Sequence, residues 1–294
     1  MDWNRLKFLS ERWKTEDQEE EEVRDMKMMK ACSSVLAMAT VILLAAPTAK
    51  AAVATVGADL NSAYVWRGIS LNQDPVIQPS VDVVQPLNSA SAESYWGVNV
   101  WGNWDIGDDD GRLPEDHQFS EVDLTIFYKL PVEQVDLTIG NITYLFPNQT
   151  TDEAPFRAVQ ETRELYLSLE KSMDSEKVQG TFSGKFNFYY DWDEIDDYYG
   201  DVEVTYSHPA TEDLSVDLSA LIGFAGSDFA AAAGGTSSGF FNWNTTLELN
   251  YSVNEAVSVG GFIAYTDTAD TSVLPPEETA DTDVYGGLNA YYTF

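Results

Sequence analysis

The stretch Val284-Tyr285-Gly286-Gly287-Leu288-Asn289-Ala290-Tyr291-Tyr292-Thr293-Phe294 places Leu288, Ala290, Tyr292 and Phe294 on one face, with polar or small residues between them. Side chains on a β-strand alternate between its two faces, so this pattern is a strand with one apolar side. The same period-two signal recurs back to Val56. It predicts about twelve strands, near 54–68, 76–85, 94–106, 119–130, 134–146, 162–171, 178–192, 198–207, 213–224, 240–252, 256–266 and 283–294. The apolar phase is clean in Leu214, Val216, Leu218, Ala220, Ile222 and Phe224, opposite Asp217. In 134–146 the phase slips from Leu137 and Ile139 to Ile142 and Tyr144, which predicts a β-bulge near Gly140. Phe229 to Ala233 is the one place where a short helical turn is expected.

Connection lengths alternate. Short turns are expected near 131–133, 172–177, 208–212 and 253–255, and longer polar loops near 69–75, 107–118, 147–161, 225–239 and 267–282. That asymmetry, with an even strand number, matches a transmembrane β-barrel. The predicted fold class is therefore all-β: a single closed antiparallel up-and-down barrel whose apolar faces meet lipid. Twelve strands enclose a lumen too wide for one layer of side chains, unlike a soluble eight-stranded barrel. Aromatic pairs at Tyr64/Trp66, Tyr95/Trp96, Tyr190/Trp192 and Tyr198/Tyr199 are expected to form interfacial girdles.

Upstream, Lys27 and Lys30 precede an apolar run from Ala31 to Ala46, followed by Ala49-Lys50-Ala51. A basic segment, an apolar core and an A-x-A site make residues 26–51 an expected secretory signal, the apolar run falling short of a membrane-spanning helix. Residues 1–25 are then expected to be an extension outside the functional chain, and 52–294 the barrel. The single cysteine, Cys32, lies in the signal, so neither disulfide nor thiolate metal site is expected in the barrel. With 49 Asp and Glu against 16 Lys and Arg, the net charge is −33, which repels nucleic acid. No stretch after residue 51 approaches the 18 apolar residues of a helical span.

Near the start of the barrel, the run Ser62-Ala63-Tyr64-Val65-Trp66-Arg67-Gly68-Ile69-Ser70, followed by Pro75, Gln78 and Pro79, resembles the signature of the TorF-type porins, a bacterial outer-membrane family. Leu71 stands where those proteins commonly have glutamine. The resemblance implies a porin-like barrel in the outer membrane and brings no substrate or catalytic residue with it. The strand ending at Phe294 also resembles the signal read by the outer-membrane assembly machinery, so that machinery, lipid and lipopolysaccharide are the expected partners.

Faces opposite the apolar ones are expected to line the lumen with Asp59, Arg67, Glu121, Asp123, Lys129, Glu164, Lys185, Glu203, Asp217 and Glu248, and with Glu170 and Asp201 beside them. Arg67 is expected near the outer end of the first strand, either pairing with lumen carboxylates or forming a charged constriction. Rings of carboxylate favour cations, so the expected function is a passive, cation-preferring pore for small polar solutes. The alternative is a non-conducting barrel with a structural or surface-interaction role. Only His117 and His208 are present, both expected in connections, and no nucleophile–base–acid set can be assembled. No catalytic residue, cofactor or metal is expected. The acidic loops at Asp108-Asp109-Asp110 with Glu115 and Asp116, and at Asp191, Asp193, Glu194, Asp196 and Asp197, are expected to be solvated faces, without the spacing of an EF-hand.

Overall fold

The computed structural model describes residues 51–87, 93–107, 119–147, 161–276 and 283–294. The expected extension and signal therefore lie outside the described residues, apart from Ala51. So do His117 and the acidic run Asp108-Asp109-Asp110 with Glu115 and Asp116.

Twelve strands close a single antiparallel barrel: β1 (Val53–Asn61), β4 (Val76–Leu87), β5 (Ser94–Asp105), β6 (Phe119–Leu130), β7 (Asp136–Leu145), β8 (Glu161–Ser175), β9 (Gly180–Asp191), β10 (Asp197–Pro209), β11 (Leu214–Ala225), β12 (Gly239–Ser252), β13 (Val257–Thr268) and β14 (Val284–Thr293). Each pairs with its sequence neighbour, and β14 closes on β1 with Leu60 opposite Leu288 and Val56 opposite Tyr292. Closure leaves no strand edge unpaired, the condition for backbone to cross hydrocarbon as a sheet. No helix of the described residues is long and apolar enough to cross a membrane.

The register assigns every wall residue to one face. The outer face carries Leu60, Leu165, Val204, Leu218, Ile263 and Leu288, exposed by 48–66 %. Each such side chain gains about 1.5–3 kcal/mol on leaving water. A continuous belt of them far exceeds the apolar patches that soluble monomers tolerate. Trp192, Trp243, Tyr251 and Tyr292 stand on the same side.

Three sequence expectations are corrected. The first strand ends at Asn61, not at residue 68. Within the connection to β4 a separate hairpin forms from β2 (Tyr64–Trp66) and β3 (Ile69–Asn72). It was hidden because both arms share the wall's period and only Arg67-Gly68 separates them. No bulge occurs at Gly140: β7 pairs in unbroken register with β6 and β8 through that residue. The apolar residues change sides because Tyr144 is buried edge to face against Trp66 inside the wall and Ile142 faces the interior beside it, so hydrophobicity shifts while the backbone does not. His208 lies inside β10, on the outer face against Tyr206, rather than in a turn.

The girdle expectation also divides. Trp96, Tyr190 and Trp192 face out, whereas Tyr95 and Tyr199 face in, and Tyr64 and Trp66 belong to the inner hairpin. The expected helical turn is present as α1 (Ser227–Ala232), between β11 and β12.

Candidate functional site

The site is the lumen, and its geometry is set by the connection between β1 and β4. The hairpin turns at Arg67 (φ 51°) and Gly68 (φ 80°). Positive φ at both central residues is the type I′ pattern that suits two-residue hairpins, and glycine accepts it without strain. A Cβ on Gly68 would lie 2.6 Å from Cβ of Asn242 on β12, so the turn presses against the wall there.

Arg67 is thus carried on the tip of an inward hairpin rather than on strand one. Its Nη1 and Nη2 donate to Oε1 and Oε2 of Glu164, both at 2.7 Å, and the two side chains are 8 % and 2 % exposed. Two parallel charge-assisted bonds fix orientation as well as distance. The guanidinium sits 4.4 Å from the ring centres of Trp66 and Tyr189 and 4.5 Å from that of Tyr199. Tyr144 donates its hydroxyl to Glu164 at 2.8 Å, completing that carboxylate's partners. Of the two roles open for Arg67, pairing with a lumen carboxylate is realised, here across the lumen.

Further polar ties fasten the hairpin. Tyr64 donates to Glu121 at 2.9 Å, and Asn72 donates to Asp105 at 2.6 Å and to the Gly107 carbonyl at 3.1 Å. An amide relay runs beside it, from Asn61 to Gln78 and from Gln78 to Asn103. On the other flank, Asp197 accepts the backbone N–H groups of Asp228 and Phe229, satisfying the first turn of α1. That helix drives Phe229 against Trp66, Tyr199 and Phe241. With Val273 and Leu274 from the β13–β14 connection, these residues form a dry cluster at the long-loop end of the lumen. Asp270 holds that connection by accepting from Oγ and N–H of Ser272, bonds that keep its carboxyl below the usual range.

Of the residues read from the sequence, Asp59, Glu121, Asp123, Lys129, Glu164, Lys185, Glu203, Asp217 and Glu248 all stand on the inner face of the wall. The structure does not gather them into one ring. Glu121, Asp123 and Glu164 surround the hairpin. Lys185 lies in register between Glu170 and Glu203. Asp217 faces Glu248 across the β11–β12 pair, and Asp59 accepts from Tyr291 at 2.7 Å. Lys129 sits toward the short-turn end, bonded to Asp136 at 2.6 Å and Glu93 at 3.3 Å. Asp191 spends one oxygen on the N–H groups of Asp193, Glu194 and Ile195. That loop is therefore knit together by its own acids, and among the described residues no group of three or more metal-ligating side chains converges.

Among the described residues, two cavities inside the wall bear on the site. One, of about 470 Å³, lies against the hairpin tip and is lined by Arg67, Asp123, Asp201, Glu203 and Asn244. The other, of about 450 Å³, is lined by strands β5–β9, including Tyr95, Phe127, Tyr166 and Tyr189. Ile142 and Tyr189 line both. Sequence reasoning missed the aromatic inner wall because Phe127 and Tyr166 sit in the polar phase of their strands. Their pairing with glycines across the strand is the signal that could have found them.

Residues 45–286 match the model of a family described as a bacterial protein of unknown function, Gcw_chp. Among solved structures, the COG4313 outer membrane channel from Pseudomonas putida F1 is similar with a TM-score of 0.50 and 9 % identity, over 85 % of this chain and 97 % of that one. The NanC porin is similar at a TM-score of 0.45 and 10 % identity, over 81 % of this chain and 98 % of that chain. The outer membrane channel DcaP of Acinetobacter baumannii gives 0.41 and 10 %, over 83 % and 96 %. At 9 % identity the likeness to the COG4313 channel is one of fold alone. No curated protein matches the sequence.

Proposed function

We propose, for a chain that belongs to the Gcw_chp family of bacterial proteins of unknown function, a porin-like role in the outer membrane: passive diffusion of small polar solutes, with preference for cations. The observation that carries it is the division of one closed wall into an apolar outer face and an inner face of carboxylates, amides and hydroxyls. A water-filled lumen is the environment in which such an inner face costs least. The resemblance of Tyr64–Ser70 to the TorF-type porins supports the same role. Export by the general secretion pathway, handling of the Phe294 strand by the assembly machinery and contact with lipopolysaccharide follow from it as parts of the proposal.

Cation preference rests on Asp59, Asp217, Glu203 and Glu248 along one arc, which carries no lysine or arginine among the described residues of β10–β14. In this proposal a solute passes the hairpin and α1, which narrow the lumen at the long-loop end. Planar-bilayer recording across a tenfold KCl gradient tests this. A reversal potential of cation-selective sign supports the proposal, and an anion-selective one overturns the charge preference. The dry cluster around Phe229, Phe241 and Leu274 favours a second function, a closed barrel with a structural or surface role. Absence of any conductance from folded, inserted protein selects it.

A further inference from the structure

Strands β5–β9 carry an aromatic file on their inner face that passive diffusion does not require. Tyr95 and Phe127 meet edge to face at 6.3 Å, and Tyr166 and Tyr189 lie 5.9 Å apart with their planes 31° from parallel. Two glycines explain how the rings lie. A Cβ on Gly97 would fall 2.4 Å from the Phe127 ring, and one on Gly140 would fall 2.4 Å from the Tyr166 ring. Each glycine lets the ring opposite it settle against the backbone. Settled there, both rings line the cavity of about 450 Å³.

Apart from Ile142, the remaining lining is polar and balanced in charge. Asn99, Thr125, Thr138, Ser168 and Asn187 contribute amides and hydroxyls. Nδ2 of Asn99 and of Asn187 are donated to Asp82 and Asp201, which leaves their carbonyl oxygens as acceptors. The hydroxyls of Thr125, Ser168, Tyr166 and Tyr189 have no side-chain partner among the described residues. Lys129 and Lys185 stand against Asp136 and Glu170 in the same lining. A lining with two charges of each sign offers little to a net ion of either sign. The acidic arc lies on the other strands.

We infer that this cavity is a subsite for a neutral saccharide of one or two rings. A pyranose presents C–H groups on its faces, which the electron-rich faces of aromatic rings attract. Its rim carries hydroxyls, which need the donors and acceptors that this wall leaves open. The cavity's size falls in the range of small-ligand sites, and its mix of aromatic surface with a few fixed polar groups is their usual composition. The inference rests on the proposed solvent-filled lumen, and it adds recognition to what is otherwise diffusion.

Isothermal titration calorimetry of the full barrel in detergent provides the test, with glucose, galactose, maltose, cellobiose and sucrose as probes and choline chloride as the cationic comparison. Saturable heat is expected for at least one sugar and none for choline. Tyr166→Ala should weaken that binding by about tenfold or more, the upper end of what one aromatic contact supplies. Tyr251→Ala, on the outer face, should leave it unchanged. Should Tyr166→Ala fail to fold, Ser168→Ala and Thr125→Val remove single open hydroxyls and should each weaken binding. Heat from none of the five sugars, or binding indifferent to all the inner-face substitutions, overturns the subsite and leaves the rings as packing over glycines. Saturable choline binding that Tyr166→Ala abolishes overturns the saccharide assignment in favour of a cation. A barrel that binds sugar and carries no current removes the channel and keeps the subsite. A conducting barrel without sugar heat does the reverse.

Discussion

Replacing Arg67 by alanine removes the cation that holds the inward hairpin to the opposite wall. In the wild-type chain, Glu164 receives two 2.7 Å bonds from Arg67 and one from Tyr144, at 2 % exposure. The substitution leaves a buried carboxylate with a single donor. Breaking a buried pair from one side costs about 3–5 kcal/mol. Three ring contacts within 4.5 Å are lost with it, each worth about 0.5–2 kcal/mol. The wall keeps all twelve strand pairings, so the cost falls on the hairpin rather than on the barrel. At about 1.4 kcal/mol per factor of ten, loss of the pair alone raises hairpin opening by roughly two to four orders of magnitude. Amide hydrogen exchange in micelles reads this directly. Protection at residues 64–72 should drop by that factor, while protection in β12 and β13 stays near wild type. Arg67→Lys keeps the charge but not the parallel bonds or the stacking, and should fall between. Unchanged protection of 64–72 in Arg67→Ala refutes the assignment of Arg67 as the hairpin's anchor.

Three further outcomes are expected. Leu218→Arg puts a charge on the lipid face and should cost about 2–4 kcal/mol near mid-bilayer in urea unfolding from vesicles, whereas Ser219→Arg, facing inward, should cost much less. Gly68→Ala forces a Cβ into Asn242 at a φ of 80°, and it should loosen the hairpin by about 1–3 kcal/mol, seen as faster exchange at Ile69 and Ser70. The double substitution Asp217→Asn with Glu248→Gln, a facing pair on the acidic arc, should lower the cation-to-anion permeability ratio without altering barrel stability by more than about 1 kcal/mol.

The wall was legible because each strand's environment repeats every second residue. Leu214 to Phe224 and Leu288 to Phe294 declare their faces without help from any distant contact. Nine of the ten inner-face assignments made from the sequence fall where the phase puts them. The tenth, Arg67, also reaches the lumen, but from the hairpin and not from strand one, which stayed hidden because Tyr64–Asn72 alternates like the wall it leaves. Its partner Glu164 lies 97 residues away, a separation that no local pattern reports. Ile142 and Tyr144 misled in the opposite sense. Their apolar character records the inward hairpin, whose Trp66 meets Tyr144, and periodicity alone reads this as a slip of register. The capping by Asp191 and Asp197 was likewise invisible, because an acid that accepts backbone N–H groups looks in sequence like an acid facing water.

A channel of this kind requires lipid on one side of the wall and water on the other. Spin labels placed singly at Asp217, Leu218, Ser219 and at Thr246, Leu247, Glu248, in protein reconstituted into liposomes, test that most directly. Relaxation by oxygen should peak at 218 and 247, and relaxation by a water-soluble nickel chelate should peak at the residues flanking them. Equal accessibility to both agents along each triplet, or the opposite alternation, contradicts it.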